Sequence, residues 1–407
     1  MVDLGFAIRP MPACHATLGF DEALARMEHA TQPLGREQVA LPNAAGRILA
    51  EPVLARVNAP PVDVAAMDGY AVRDGAFGPL HVIGESAPAH PCRDEVGADR
   101  AVRIFTGAPM PGGAERVIPQ ELADRQGDLV TVPLSEDKRH VRLRGSDFAA
   151  GEPMLPANRR LDPRAMLVAA AADAAQLVVW RAPRIFVVAT GDELVRSGQA
   201  ATGSPFVIPD SISPAIAALA IEWGAVVAGS ALVPDRLDVI ERCVQDAMAS
   251  ADVVVVIGGA SVGDRDFSKT ALATLGLGLV FSKVAIKPGK PVWYGRAGAT
   301  HILGLPGNPT AALVTARLFL APLLCRLTGR PMSAALSWRP AQLAVALDGN
   351  GDREAFLCGA WDGRAARALD RQAASSQALL ALTNILIRRV PGVEAEPIGS
   401  ITAVLDF

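Results

Sequence analysis

The chain has 407 residues, of which half are hydrophobic and a fifth are charged. This composition is typical of a folded globular protein and argues against an intrinsically disordered one. A formal net charge of −3 provides no basic field for nucleic acid, so an anionic ligand would need a local cluster of cations. At roughly 100–200 residues per domain, the length predicts about two to four domains.

The cysteine content and the length of the apolar runs argue against several classes of protein. The cysteines are odd in number, scattered and without a CxxC pair: Cys14, Cys92, Cys243, Cys325 and Cys358. This pattern argues against a disulfide framework and a zinc site, and it favours reduced thiols. No apolar run reaches the roughly 18 residues of a membrane helix, and residues 1–20 lack the pattern of a signal peptide. We therefore expect a cytoplasmic protein without a membrane partner.

The first part of the chain predicts one helix and then many short strands. Residues 20–30, FDEALARMEHA, have apolar positions at helical spacing behind an acidic first turn. Between residues 51 and 145, short alternating segments such as LHVIGE, RAVRIF, ERVIPQ, DLVTVPL and HVRLRG are separated by Gly, Pro and Asp turns. We interpret residues 51–145 as a mainly β domain. Residues 1–50 and 146–180, with an alanine-rich helix after Leu161, are assigned to a discontinuous N-terminal helical and linker domain.

Strand, turn and helix alternate from residue 181 to residue 330. This alternation predicts a doubly wound parallel α/β domain with helices on both faces of the sheet. The predicted helices run from Asp210 to Trp223, from Arg236 to Ala249 and from Pro309 to Leu327. Residues 331–407 contain LAVALDG, EAFLCGAW, ILIRRV and ITAVLDF, which predict a small C-terminal β barrel. The expected fold class is therefore multidomain α/β and β.

The most informative stretch is residues 252–310, where the valine-rich run DVVVVI leads into a glycine turn. Such a run is typical of a parallel strand buried on both faces. The turn contains Gly258, Gly259, Ser261, Gly263 and Asp266. Glycines allow close approach of the backbone to a ligand, and the next helix would direct its N–H groups into the same space. An anion site beside carboxylates implies a divalent cation between them.

Other candidate residues have an ordinary structural interpretation when each is taken alone. Glu193 in TGDEL, Asp235 in VPDRLD, Asp68 in AMDGY and Thr106 in FTGAP are typical of turns and helix caps. The lysines of KVAIKPGKP (Lys283, Lys287 and Lys290) could be solvated, or they could neutralise a phosphate or an oxyanion. Pro306 and Asn308 in LPGNP are ordinary helix-start residues that also suit an anion site.

Several common sites are excluded by their missing motifs. No G-x-G-x-x-G follows a strand, and no G-x-x-x-x-G-K-[ST] occurs, so dinucleotide and ordinary nucleoside triphosphate sites lose support. The histidines fall singly, without the spacing of a zinc protease or a catalytic triad.

The candidate motifs, taken together and in this order, resemble one family: the molybdopterin molybdenumtransferases, which include the MoeA proteins and the E domain of gephyrin. The motifs that carry the resemblance are MDGYAVR at 67–73, RIFTGAPMPGGAERVIPQE at 103–121, TGDEL at 190–194, GGASVGDRDF at 258–267, AIKPGKP at 285–291 and GLPGNP at 304–309. GRILAEPV near the start and SSQALLALTNILI near the end extend the likeness over nearly the whole chain.

The resemblance implies an elongated chain of four parts that forms a homodimer, with each active site shared between subunits. It implies adenylylated molybdopterin and molybdate as substrates, Mg²⁺ as cofactor, and release of AMP through attack by water. A MogA-type adenylyltransferase and molybdoenzyme chaperones are further candidate partners.

The resemblance also assigns residues to roles. The implied catalytic carboxylates are Asp68, Glu193, Asp235 and Asp266, of which the last three would hold Mg²⁺. The implied substrate-binding residues are Thr106, Gly258, Gly259, Ser261, Gly263, Lys283, Lys287, Lys290, Pro306, Asn308, Ser375 and Ser376.

Some positions depart from the family pattern. The usual DNSAMDGYA segment contains Val64 and Ala65 instead of Asn and Ser, Ile212 replaces an Asn, and Ala87-Pro88 replaces Ala-Gly. These changes suggest altered ligand contacts and leave open a paralogue that binds, delivers or scaffolds molybdopterin without turnover. A MogA-type adenylyltransferase is a third alternative. It would consume ATP, and Ser261 argues against it.

Overall fold

The computed structural model describes residues 17–134, 138–202, 204–259 and 267–407. These residues form two compact units: unit 1 comprises Met1–Glu37 and Trp180–Phe407, and unit 2 comprises Gln38–Val179. The helix expected at residues 20–30 therefore groups with the α/β region, whereas the sequence analysis assigned it to the same domain as residues 146–180. The finer division into four domains stays a prediction.

The described α-helices include every helix that the sequence pattern predicts. Helices α1 to α7 are Phe20–His29, Pro163–Ala171, Ile212–Glu222, Leu237–Met248, Phe267–Ala273, Pro309–Thr315 and Ala321–Leu327. The π-helical turn Ala316–Leu320 joins α6 to α7. Single 3₁₀ turns lie at Leu41–Asn43, Gln120–Leu122, Ala200–Thr202, Met332–Ala335 and Ala378–Leu382. The helices end within a few residues of the expected positions because their caps are local signals. For example, Asp162 accepts a hydrogen bond from the Ala165 N–H, 2.8 Å, directly before α2.

Unit 2 is built mainly of strands. Strands β1 to β12 are Arg36–Ala40, Val53–Leu54, Val64–Ala65, Gly69–Val72, Gly78–Ser86, Arg100–Ile104, Arg116–Pro119, Asp124–Gln126, Leu129–Val132, Val141–Arg142, Pro153–Leu155 and Gln176–Trp180. Six of them form a sheet in the order β7-β4-β6-β5-β9-β8, in which only β5 and β6 are parallel. The remaining strands form the pairs β1–β12, β2–β11 and β3–β10.

Strand β4 lies inside this sheet and is buried along its whole length. It begins with glycine because a Cβ on Gly69 would lie 2.0 Å from the carbonyl oxygen of Ile118 on β7. Asp68 directly precedes this close approach, so the main chain that carries its carboxylate is held by the sheet.

Unit 1 contains two further sheets and one short strand pair. Strands β13 to β26 are Arg184–Thr190, Leu194–Val195, Ile208–Pro209, Val226–Val233, Val253–Ile257, Gly278–Phe281, Ile286–Lys287, Trp293–Ala297, Thr300–Leu305, Arg339–Gln342, Glu354–Trp361, Ala366–Ala368, Ile385–Arg389 and Ile401–Asp406. The first sheet has the order β16-β13-β17-β21-β20-β18, and the second has β19-β23-β25-β26-β22 with β24 beside β23.

The first sheet is mixed, which corrects the expectation of a wholly parallel sheet. Strands β16, β13, β17 and β21 are parallel, but β20 runs antiparallel to both β21 and β18. The physical reason is the connection: β20 and β21 are joined by the two residues Gly298 and Ala299, with φ +60° at Gly298. A turn this short can join only antiparallel strands, whereas a parallel pair needs a longer crossover.

Apolar residues cover both faces of the parallel part of this sheet. Each residue of β17 is buried, as the valine-rich run predicts. One face packs on α3 and α6 through Ile216 and Val314, and the other packs on α4 and α5 through Ile240 and Leu272. The doubly wound arrangement is therefore present around the four parallel strands.

The C-terminal region forms the second, mainly antiparallel sheet. Its strand β19 comes from the lysine-rich segment and pairs in parallel with β23. The segment LAVALDG contributes isolated bridges at Leu343 and Leu347 rather than the expected strand. Closure of the sheet into a barrel stays a prediction.

Within unit 1, helix α1 is joined to the second sheet by an ion cluster that is buried at Glu354 and exposed at Asp21. The Arg388 guanidinium donates to both Asp21 carboxylate oxygens, at 3.0 and 2.9 Å, and to the carboxylate of Glu354. The rings of Phe20 and Trp338 each lie 5.4 Å from this guanidinium. The Glu354 side chain is 8% exposed and that of Asp21 is 75% exposed. Burial raises the pKa of Glu354, opposed by its hydrogen bond with Arg388.

A buried hydrogen-bonded chain joins the end of α1 to the first sheet. The Thr31 hydroxyl lies 2.7 Å from the Met27 carbonyl and 3.0 Å from the Tyr294 hydroxyl, which in turn lies 2.7 Å from His301 Nδ1. A carbonyl can only accept, so Thr31 donates to Met27, Tyr294 to Thr31, and neutral His301 to Tyr294. Burial lowers the pKa of His301 to about 4 and raises that of Tyr294 to about 12.

One helix in the described part of the chain, Pro309–Leu327, is long and apolar enough to cross a membrane by length and composition. The sequence analysis expected no such run. The most apolar part of this helix is 89% buried inside the protein, and its residues belong to the core of unit 1. Burial of this kind is typical of the core helix of a globular domain.

Candidate functional site

Three parallel strands of unit 1 end at one place, beside Gly258. The Gly258 N–H donates to the Leu305 carbonyl at the end of β21, 3.2 Å. A Cβ on Gly258 would lie 2.7 Å from the carbonyl oxygen of Thr190, the last residue of β13. With φ at +87°, this position requires glycine. The sequence correctly predicts a glycine turn at the carboxyl ends of the strands.

Gly259 continues this close approach toward α5. A Cβ on Gly259 would lie 2.3 Å from the Ser268 hydroxyl oxygen, and that hydroxyl donates to the Gly258 carbonyl, 3.2 Å. The next residues of the motif, among them Ser261, Gly263 and Asp266, lie outside the described residues. Their assigned roles stay predictions.

Two carboxylates follow the neighbouring strands of the same sheet. The Asp235 N–H donates to Asp192 Oδ1, 3.2 Å, and the Gly191 N–H donates to the Val233 carbonyl, 3.1 Å. These bonds join the loop after β13 to the loop after β16. Asp192 thereby fixes the backbone of Asp235, a role that the sequence analysis missed because it named only Glu193 of TGDEL as a candidate.

Asp235 and Glu193 differ in their surroundings. Asp235 Oδ1 is shielded from solvent and has no hydrogen-bond partner among the described residues. Glu193 is exposed, and its carboxylate folds over Gly191, where an added Cβ would lie 2.8 Å from Oε2. A buried carboxylate oxygen without a donor suits a hard cation, which would supply the missing charge. The Asp235 carboxylate therefore fits the implied Mg²⁺, and the part of Glu193 in holding the ion stays a prediction.

The implied metal triad also needs Asp266, which lies outside the described residues. Within the described ranges, no group of three His, Cys, Asp or Glu side chains could hold a metal ion. Coordination of Mg²⁺ by Glu193, Asp235 and Asp266 stays a prediction.

Two buried hydroxyls of unit 1 were not predicted. Thr190 is 5% exposed and Ser213, in the first turn of α3, is 7% exposed. Neither hydroxyl has a hydrogen-bond partner among the described residues. A Cβ on Gly258 would lie 3.0 Å from Thr190 Oγ1, so this hydroxyl borders the glycine turn. Its position as the first residue of TGDEL was the available signal.

The lysine segment forms a closed turn that packs on α6. The Val284 N–H donates to the Lys290 carbonyl, 3.1 Å, and a Cβ on Gly289 would lie 2.1 Å from Thr315 Cγ2. Lys287 and Lys290 are exposed and Lys283 is half-buried. The described residues include no carboxylate within ion-pair distance of these three lysines. Three cations within eight residues, without an ion-pair partner in the described ranges, are the kind of local cluster that an anionic ligand needs.

The start of α6 differs from the anion site that LPGNP suggested. The N–H groups of Thr310 and Ala311 both donate to the Ala374 carbonyl, at 3.0 and 3.3 Å, and the Thr310 hydroxyl donates to the Ser376 carbonyl, 3.0 Å. Asn308 occupies the N-cap position but makes no side-chain cap bond. The C-terminal region thus satisfies the N–H groups that an anion would use.

Three further residues that were predicted to bind substrate, Pro306, Ser375 and Ser376, lie around the start of α6. Pro306 is buried, Ser375 is exposed and Ser376 is half-buried. The two serines are adjacent to the Ala374 carbonyl, so the structure brings them to α6. Their contact with substrate stays a prediction.

In unit 2, Asp68 and Thr106 form one structural element. Asp68 Oδ1 accepts from both the N–H and the hydroxyl of Thr106, each at 2.7 Å. The backbone hydrogen bond, and then the hydroxyl, holds the pKa of Asp68 below its usual range. Asp68 is therefore ionised at neutral pH, and its Oδ2 has no hydrogen-bond partner among the described residues.

The departures from the family pattern at Val64, Ala65 and Ile212 fall at interior positions. Val64 and Ala65 are 6% and 0% exposed, and Ile212 is 9% exposed. The backbone of Ala65 bonds to Ala108 and Gly107 of the same unit, at 2.9 and 2.8 Å. Side chains this deeply covered by their own unit offer little surface to a ligand. The structure therefore does not support altered ligand contacts at these three positions.

The fold is that of a multidomain α/β protein in which a glycine turn and two carboxylate-bearing loops lie at the strand ends of the first sheet, and a lysine-rich segment belongs to the same unit. A family model for the MoeA N-terminal region, domains I and II, matches residues 18–172. A model for a probable molybdopterin binding domain matches residues 186–326.

Curated relatives and a solved structure extend the match over most of the chain. The molybdopterin molybdenumtransferase of Nostoc sp. is 36% identical over 333 residues, which cover 78% of this chain and 75% of the relative. That of Haemophilus influenzae is 34% identical over 319 residues, 77% of this chain and 78% of the relative. The molybdopterin biosynthesis MoeA protein of Pyrococcus horikoshii aligns with a TM-score of 0.80 at 26% identity, covering 96% and 98% of the two chains.

The chain belongs to the molybdopterin molybdenumtransferase family, which confirms the resemblance drawn from the motifs. It is therefore a member of a family of transferases that serve molybdenum cofactor biosynthesis.

Proposed function

We propose that this chain inserts molybdenum from molybdate into adenylylated molybdopterin and releases AMP in a Mg²⁺-dependent step. The proposal depends on the groups found where the parallel strands of the first sheet end. There, the Asp235 oxygen and the glycine turn at Gly258 lie at strand ends of unit 1. The same unit presents three lysines, and neither that oxygen nor the lysines have a partner in the described part of the chain. Opposite charges without partners among the described residues suit a ligand that brings an anion and its cation together.

Each group would contribute by its own chemistry. Glu193, Asp235 and Asp266 would hold Mg²⁺, which polarises the phosphoryl group and offsets its developing charge when bound. Lys283 and Lys287, with Lys290 beside them, would bind the oxygens of molybdate or phosphate through charge-assisted hydrogen bonds. The backbone of Gly258 and Gly259 allows close approach to the same oxygens.

Asp68 would act on the attacking water. Its Oδ1 is engaged by Thr106, whereas its ionised Oδ2 can accept a proton or orient a water molecule. We propose a homodimer in which Asp68 of one protomer completes the site formed by Glu193 and Asp235 of the other.

No described feature favours the second candidate, a paralogue that binds molybdopterin without turnover. That alternative rested on Val64, Ala65 and Ile212, and these residues are buried in their own unit. We therefore propose the enzyme rather than the binding protein.

The test of the proposal is AMP release by the purified full-length chain with adenylylated molybdopterin, molybdate and Mg²⁺. Asp235→Asn keeps the shape of the side chain and the backbone bond to Asp192, but it removes the charge. We expect a loss of turnover of about a hundredfold or more. The matched control is Asp238→Asn, because Asp238 is exposed and lies 3.0 Å from Arg236. Equal activity of the Asp235→Asn and Asp238→Asn variants would disprove the role of Asp235. Tight binding of the adenylylated pterin by the unmodified chain, without AMP release, would instead favour the binding protein.

The shared site has a separate test. Asp68→Ala and Asp235→Ala proteins, each inactive alone, are mixed and allowed to exchange subunits. Recovered AMP release would support a site completed by two protomers. No recovery after verified exchange would contradict it.

A further inference from the structure

The main chain around Asp68 is held by residues to which no role has been assigned. The Gln120 N–H donates to the Asp68 carbonyl, 3.0 Å. Arg103 Nη1 donates to the Gly69 carbonyl, 3.1 Å, and Arg103 Nη2 donates to Gln120 Oε1, 2.6 Å. Thr106, just beyond the end of β6, binds the Asp68 side chain, whereas Arg103 and Gln120 bind the adjoining backbone.

The position of Arg103 is itself closely defined. It lies on β6 directly opposite Tyr70 of β4, and its guanidinium carbon is 5.3 Å from the Tyr70 ring centroid and 4.8 Å from that of Phe105. The planar guanidinium can therefore donate to two acceptors at once while it packs against the rings. A lysine ammonium at this position would keep the charge without the fixed fork.

The acceptors of Arg103 are neutral, which separates it from an ordinary ion pair. Both are oxygens of amide groups, in Gly69 and Gln120, so the positive charge has no bonded carboxylate among the described residues. The Arg103 charge makes the smallest contribution to the lowered pKa of Asp68, after the backbone and hydroxyl hydrogen bonds from Thr106.

We infer that Arg103 and Gln120 are positioning residues that hold the Asp68 segment so that Oδ2 is presented to the ligand. Thr106 fixes one carboxylate oxygen, and the Arg103–Gln120 pair fixes the backbone on the other side of the same residue. The inference deepens the proposed function and depends on Asp68 taking part in the reaction.

The test uses the full-length chain and the AMP-release assay, with three variants and one control. Arg103→Lys keeps the charge but loses the fork, Arg103→Met loses both, and Gln120→Leu loses the acceptor. We expect each to lower kcat about tenfold or more with little change in KM, because the carboxylate is displaced rather than the substrate. The control is Arg100→Lys, at an exposed position of the same strand, which should retain full activity.

The pH profile separates positioning from charge. The Arg103 cation favours the ionised form of Asp68, so its removal raises the pKa of that carboxyl. In Arg103→Met, the acid limb of kcat/KM should therefore move slightly to higher pH, because both Thr106 hydrogen bonds, the main causes of the lowered pKa, remain. In Arg103→Lys the limb should stay in place while kcat falls. A structural defect alone would lower the folded fraction without this difference between the two variants.

The outcomes also distinguish this inference from the proposed function. If Asp68→Asn keeps full activity, the role of Asp68 is wrong and the inference is overturned with it. If Asp68→Asn is inactive but Arg103→Lys and Gln120→Leu match the Arg100→Lys control, only the inference is overturned. Gln120→Leu leaves the arginine and its ring contacts in place, so it decides the question where loss of Arg103 prevents folding.

Discussion

Two groups of charges meet on the β19–β23 strand pair of unit 1, and they are arranged in opposite ways. Glu354 of β23 is buried and paired with Arg388, whereas Lys287 of β19 is exposed and has no carboxylate partner among the described residues. In the strand register, Glu354 lies opposite Ile286 and Ala355 opposite Lys287. The same strand pair therefore carries a carboxylate that is paired, Glu354, and an ammonium group that is exposed to a ligand, Lys287. Paired charges hold the fold, and unpaired charges remain free for a ligand.

Breaking the paired cluster should have the largest effect on stability. Arg388→Met leaves the Glu354 carboxylate buried without its partner, and it removes the contacts of the guanidinium with Phe20 and Trp338. We expect a loss of about 3 kcal/mol in the free energy of unfolding, because an uncompensated buried charge is strongly destabilising. Urea denaturation of the full-length chain measures it.

The exposed side of the same cluster provides the control. Asp21 is 75% exposed, so Asp21→Asn should cost less than about 1 kcal/mol. Equal losses in the two variants would show that burial does not distinguish the two carboxylates.

The buried His301 adds a pH dependence to the stability of the fold. Its pKa is lowered from 6.5 to about 4 in the folded chain, so the unfolded chain binds a proton that the folded chain does not. This contribution is present above about pH 6.5 and is lost as the pH falls toward 4, by up to about 3 kcal/mol.

A substitution isolates the contribution of His301. His301→Asn keeps a donor near the position of Nδ1 but does not titrate. The unfolding free energy of the His301→Asn variant should fall less between about pH 7 and about pH 4.5 than that of the unmodified chain. The control is His81→Asn, because His81 is exposed. If the unfolding free energy of His301→Asn falls as much as that of the unmodified chain, the pH dependence comes from other titratable groups.

The unpaired lysines should behave in the opposite way from Arg388. Lys287→Gln removes one cation from the ligand cluster, so we expect KM for the adenylylated pterin to rise about tenfold, as loss of a charge-assisted hydrogen bond predicts. The unfolding free energy should change by less than about 0.5 kcal/mol. Lys138→Gln at an exposed position of unit 2 is the control. If Lys287→Gln lowered the unfolding free energy without raising KM, Lys287 would support the fold, as Arg388 does, rather than bind the ligand.

The smallest expected effect concerns backbone strain at the Ala87-Pro88 departure. The turn is closed by hydrogen bonds between Ala87 and His90, at 3.0 and 2.9 Å, and it places Ala89 at φ +63°. An L-residue with a side chain is strained there, so Ala89→Gly should stabilise unit 2 by about 0.5–1 kcal/mol. Thermal denaturation would detect the change, and a lower melting temperature would contradict it.

Local patterns predicted much of the fold. The valine-rich run became the buried strand β17, the glycines after it have the positive φ values that the turn needs, and the helices begin near their cap residues. The family was also recognisable from the motifs. These features depend on residues within a few positions of one another, where periodicity, chain stiffness and capping act directly.

Tertiary structure decided which of the candidate residues are engaged and which are free. Asp68 and Thr106 are 38 positions apart and bond to each other, and the Ala374 carbonyl covers the N–H groups at the start of α6. The sequence by itself determined the helices, the buried strand β17, the glycine turn and the candidate charges of this protein. Only the packing of distant segments decided which charges are buried and paired, because burial and pairing depend on neighbours that no local pattern specifies.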